Sequence, residues 1–111
     1  MWLFTTIGFF SVVQKPGDSF LTVRARVASD LDRLREKYMP ELSKTMNKQG
    51  TDYPYRGTIS HEDFAKGMEK VVKAIHYGNF KAEVEAKMGS ERERIYHEVW
   101  NTLLRLERQS K

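Results

Sequence analysis

Cysteine is absent from this chain of 111 residues, proline occurs only three times and histidine only three times. Without cysteine the chain has no disulfide framework, no thiolate metal ligand and no cysteine nucleophile, a composition that suits a reducing compartment. No apolar run approaches the roughly 20 residues that span a bilayer. The chain also lacks a G-x-S-x-G elbow, a P-loop, a dinucleotide fingerprint and any recognisable spacing of paired carboxylates. No cofactor and no metal are therefore expected.

Apolar residues at 40% and charged residues at 31% are ordinary for a folded, water-soluble protein. The length predicts a single domain over residues 1–111. Basic side chains number 19 against 15 acidic, a net charge of +4; over Met1 to Ser60 there are nine basic against six acidic. This weak basic bias is compatible with a nucleic-acid partner without requiring one. The apolar start, Trp2 to Val13, lacks a basic n-region and is interrupted by Thr5, Thr6, Gly8 and Ser11. It reads as a buried strand rather than a secretory signal or an anchor. A methionine start beside a structural element points to a cytoplasmic protein.

The most informative stretch is Gly8–Gln14, the turn Lys15-Pro16-Gly17-Asp18, then Leu21–Val27. It reads as a β-hairpin. Side chains on a strand alternate, so Leu21, Val23, Ala25 and Val27 share a core face while Arg24 and Arg26 share the other.

Beyond the hairpin, Ser29 or Asp30 caps a helix whose Leu31, Leu34 and Tyr38 fall on one side, and Pro40 ends it. Ser43 to Tyr55 shows no apolar period and reads as a loop. Tyr55 to Ile59 is a short strand, weakened by Gly57, which points to an edge position or a bulge. Ser60 through Asp63 forms a capping box that opens a helix with Phe64, Met68, Val71, Val72 and Ile75 inward, and Gly67 permits a close approach to the sheet. Gly78 is placed as a left-handed terminator of that helix. Asn79 to Lys87 alternates like a strand but has the composition of a helix, and helix is the preferred reading. Gly89 breaks the chain, and Ser90 with Glu93 caps a last helix carrying Ile95, Val99, Trp100, Leu103, Leu104 and Leu106. The predicted class is α+β: a small antiparallel sheet of three or four strands, helices packed on one face, half-ferredoxin-like, with strand order 2-1-3.

Two clusters carry possible chemistry. Arg24, Arg26 and Arg56 can bind phosphate or carboxylate bidentately if no acid already occupies them; Asp18, Asp32 and Asp52 are the candidate acids. Tyr53 and Tyr55 flank Pro54 and precede Arg56, so their rings can stack on a base. The histidines offer no metal-ligand spacing: His61 and His76 lie too far apart along one helix, and His76 suits the helix C-terminal dipole. Asn79, Phe80 and Lys81 fit a cap, a packed ring and a solvated charge. The alternating Glu and Arg residues from Glu91 to Glu98 suit intrahelical pairing.

Met1-Trp2, Gly8–Ser11, Leu21–Arg26, Gly50–Arg56 and Asn79–Lys81 together resemble a family of small bacterial proteins with no assigned activity. The resemblance implies a bacterial cytoplasmic origin and carries over no catalytic residue.

The expected function is a non-catalytic binding module for an anionic ligand such as nucleic acid or a nucleotide, with Arg24, Arg26, Arg56, Tyr53 and Tyr55 as its site. One alternative is a protein-interaction domain that forms a homodimer through a strand edge or the helix bearing Trp100. Another is a hydrolase using Asp52 and His61.

Overall fold

The structure is a computed structural model that describes residues 1–109. It is an α+β arrangement. The chain runs β1 (Trp2–Phe4), β2 (Phe9–Val13), β3 (Leu21–Ala25), α1 (Ala28–Lys37), β4 (Met46–Asn47), β5 (Tyr55–Ile59), α2 (His61–Lys73), α3 (Phe80–Met88), α4 (Ser90–Leu103) and α5 (Arg105–Gln109). Contacts divide it into two compact units, Met1–His76 and a second beginning at Tyr77. Among the described residues no helix is long and apolar enough to cross a membrane.

The first unit holds an antiparallel sheet of five strands in the order β1-β2-β3-β5-β4. The predicted hairpin forms as β2 and β3, closed by Asp18 N–H donating to Lys15 O (3.0 Å), with Gly17 at φ +86° supplying the left-handed residue of the turn. The sheet departs from the expected order: β3, not β2, lies between its sequence neighbours, because the chain after α1 returns along the free edge of the strand it has just left. Nor is β5 the edge strand or bulge expected from Gly57: it lies between β3 and β4 and pairs with β3 in unbroken register. Two strands went unpredicted. Trp2–Phe4 and Phe9–Val13 are separate strands joined by a turn in which Thr5 N–H donates to Gly8 O (3.0 Å), and Met46–Asn47 adds a short edge inside the expected loop.

One face of this sheet is the core. Phe10, Val12, Val23, Ala25 and Ile59 pack with Leu31 and Leu34 of α1, Met39, Leu42, and Phe64 of α2. Each of these side chains except that of Ala25 contributes about 1.5–3 kcal/mol when removed from water. The close approach at Gly67 is not to the sheet, as expected, but to the buried Met39 side chain just beyond α1: a Cβ there would sit 2.3 Å from Met39 Cγ. Asp30 does not cap α1, whose N-cap is Val27. Its buried carboxylate instead accepts from Phe9 N–H (3.0 Å) and from Arg33 Nη2 (2.5 Å), binding α1 to the start of β2.

Helix α2 starts as expected, with Ser60 Oγ accepting from Asp63 N–H (3.0 Å). It ends at Lys73, not at Gly78, and Gly78 does not adopt a left-handed conformation. Phe64 is buried, but Val72 and Ile75 are exposed, because the core ends before the last turn of the helix.

The second unit is a helical hairpin. Asn79–Lys87 is helical as preferred, capped by Asn79 Oδ1 accepting from Ala82 N–H (2.9 Å). Gly89, at φ +98°, turns the chain between α3 and α4. No side chain caps α4, so the predicted Ser90–Glu93 box does not form. Val84 and Tyr96 are buried, and Phe80 stacks on Tyr96 at 5.9 Å.

Candidate functional site

The second face of the sheet carries a continuous row. Trp2 pairs with Ser11, Ser11 with Arg24, Arg24 with Arg56, and Arg56 with Met46, so one residue from each of the five strands projects from the same face. Arg24 leans toward β2, where its Nη2 donates to Ser11 Oγ (2.7 Å). Its Nε is buried and has no hydrogen-bond partner. Arg56 Nε donates to Tyr53 O (3.2 Å).

Tyr53 is positioned by the turn between β4 and β5. Lys48 N–H donates to Pro54 O (2.6 Å), Thr51 Oγ1 lies within hydrogen-bond reach of Lys48 O and Tyr53 O, and Gly50 takes φ +82°. The guanidinium carbons of Arg24 and Arg26 lie 4.7 and 5.0 Å from the Tyr53 ring centroid. Cation–π attraction of this kind contributes about 0.5–2 kcal/mol. Tyr53 is only 6% exposed. It is a platform that fixes two guanidinium groups, not the open stacking surface that was expected. Tyr55 departs further from expectation: it lies opposite Ala25 and packs on the core, because its register places it on the other face. The structure thus brings together Arg24, Arg26, Arg56 and Tyr53, and leaves Tyr55 out. Arg26 sits just past the end of β3 and is exposed.

Other arginines of this unit have acids; these three do not. Asp32 pairs with Arg35 (3.0 Å) and Asp30 with Arg33, so neither is available to the sheet face. Among the described residues Arg24, Arg26 and Arg56 form no ion pair. The Lys15 ammonium is pushed below the ordinary lysine range, first by desolvation and then by repulsion from Arg56, Lys48 and Arg24, with Asp18 opposing.

Sequence reasoning missed Trp2, Phe9 and Ser11. Trp2 is 66% exposed, meets Phe9 edge-on at 6.0 Å, and Phe9 lies 6.4 Å from Tyr53. Reading Trp2–Val13 as one strand hid the turn at Thr5–Gly8, the one local signal that two strands share this face.

The remaining candidates lie elsewhere. Asp52 precedes β5 and His61 follows it, so five residues of extended strand, rising about 3.3 Å each, hold the two at opposite ends; both are exposed. Among the described residues no group of three or more His, Asp or Glu side chains is arranged to hold a metal ion. Asn79 caps α3, Phe80 packs on Tyr96, and Lys81 lies over the Trp100 ring at 4.3 Å with its Nζ 3.1 Å from His97 Nδ1. No family model matches the chain, and neither does any curated protein or solved structure compared with it.

Proposed function

We propose that the protein is a non-catalytic binding module for a phosphate-bearing anion, nucleic acid or nucleotide, taken up on the sheet face by Arg24, Arg26 and Arg56. The observation that carries this reading is that Arg24 and Arg26 lie on the Tyr53 ring, with Arg56 opposite Arg24 in the sheet and bonded to the Tyr53 carbonyl, and that none of the three has a carboxylate, although both arginines of α1 have one. An arginine whose Nε is buried without a partner departs from the usual satisfaction of buried donors. Such departures gather at functional sites. Guanidinium forks match phosphate oxygens, and a site held by a serine, a backbone carbonyl and an aromatic ring is ordered before the ligand arrives.

The test is fluorescence anisotropy of a labelled single-stranded oligonucleotide at low and moderate salt, with the parent and with the double variant Arg24→Ala, Arg26→Ala. Affinity that falls with salt in the parent and is largely lost in the variant is expected. Unchanged affinity in a variant with the parental circular dichroism spectrum would refute the site.

A second reading is self-association through α4 and α5, favoured by Ile95, Trp100, Leu103 and Leu106, each about half exposed. Sedimentation equilibrium of the parent and of the double variant Leu103→Glu, Leu106→Glu tests it: a parental dimer lost in the variant is expected, and a monomeric parent at micromolar concentration would refute it.

A further inference from the structure

We infer that the ligand is an extended single-stranded nucleic acid lying across the strands, with one base stacked on Trp2 and the adjoining phosphates on Arg24 and Arg56. This rests on the anion-binding reading and narrows its ligand class.

Trp2 and the arginines belong to one register row, and neighbouring strands lie about 4.8 Å apart, so the row is a ladder of evenly spaced positions. Arg24 and Arg56 stand on adjacent rungs. Arg24 is drawn from its own strand toward β2 by Ser11, which places its charge beside the rung occupied by Trp2. The rings of Trp2, Phe9 and Tyr53 follow one another at 6.0 and 6.4 Å, and Arg24 and Arg26 cap the Tyr53 end. The face therefore sets one open aromatic ring, Trp2, beside fixed cations.

A simple polyanion has no use for the aromatic ring, whereas a nucleic acid presents both groups in alternation: phosphates for the guanidinium forks and a π-face on every base. A paired duplex keeps its bases stacked inside, out of reach of a ring on a sheet edge, so the strand bound here is single. Stacking on one ring is indifferent to base identity, and sequence preference is correspondingly weak.

The experiment uses the full chain carrying Trp100→Phe, so that Trp2 is the sole tryptophan. It is titrated with a short oligothymidylate and, separately, with inorganic polyphosphate. The oligothymidylate is expected to quench Trp2 emission. With affinities read by displacement of a labelled oligonucleotide in the anisotropy assay, Trp2→Ala in the same background should weaken oligothymidylate at least about ten-fold more than it weakens polyphosphate, the effect of losing one stacked base. Trp2→Phe should restore most of the loss, separating stacking from any effect on the edge strand. Equal weakening of the two ligands, or none, would overturn the single-strand inference while leaving the phosphate site in place. Failure of both ligands to bind the parent at low salt would overturn the anion-binding reading itself.

Discussion

Gly67→Ala offers a quantitative test of how α2 is seated. Alanine is favoured over glycine within a helix by about 1 kcal/mol, so on propensity alone the substitution stabilises. The structure reverses the sign. The new Cβ would lie 2.3 Å from Met39 Cγ and 2.8 Å from its Cε, and Met39 is fully buried. Since Cγ is only the second carbon of the side chain, moving the thioether end does not relieve the contact. Either α2 lifts or Met39 turns into occupied core, a cost of about 1–3 kcal/mol. Taking the middle of that cost, the net expectation is a loss of about 1 kcal/mol. Met39→Ala alone opens a cavity costing about 2–5 kcal/mol. In that background Gly67→Ala becomes neutral or stabilising, because the clash is gone and the new methyl fills part of the space. Urea unfolding of the parent, both single variants and the double variant, followed by circular dichroism, gives the coupling. A Gly67→Ala protein as stable as the parent, or the same penalty in both backgrounds, would refute the reasoning.

Val72→Lys and Ile75→Lys should each change stability by no more than about 0.5 kcal/mol, since both side chains are more than half exposed; a loss above about 2 kcal/mol in urea unfolding would mean that the inward face drawn from the sequence is correct. Ser11→Ala frees the Arg24 guanidinium and should weaken oligonucleotide binding several-fold in the anisotropy assay, with Ser11→Thr restoring it; unchanged affinity would show that Arg24 needs no positioning. The Asp32 carboxyl is held below its ordinary value chiefly by the Thr45 hydroxyl and then by Arg35. Its contribution is therefore present above the unfolded-state pKa and lost as pH falls through the lower folded-state value, below about pH 4. Asp32→Asn should flatten the acid limb of the stability curve measured by thermal unfolding, and parallel curves for the two proteins would contradict this.

Several features were legible because the interactions that make them are local. Ser60 caps α2 through an N–H three residues on, Asn79 does the same for α3, and the Lys15–Asp18 turn closes the hairpin that carries Arg24. Leu31 and Leu34 bury on the face their spacing predicts. Asp30 shows where that legibility stops. Its position suggested a cap, but its carboxylate is taken by Arg33 one turn on and by a backbone N–H 21 residues earlier; the first pairing is local, whereas nothing near Asp30 encodes the meeting with Phe9.

By itself the sequence determined the α+β class, the main hairpin, the starts of α2 and α3, and the arginines as the residues to watch, since alternation, caps and glycine turns act over a few residues. Only the tertiary structure decided that β3 is central, that Tyr53 shares a face with the arginines while Tyr55 does not, that Val72 and Ile75 stay exposed, and that Trp2 stands in the same row as Arg24. Strand register and coverage depend on which distant segment arrives alongside, and a shift of one residue moves a side chain to the opposite face.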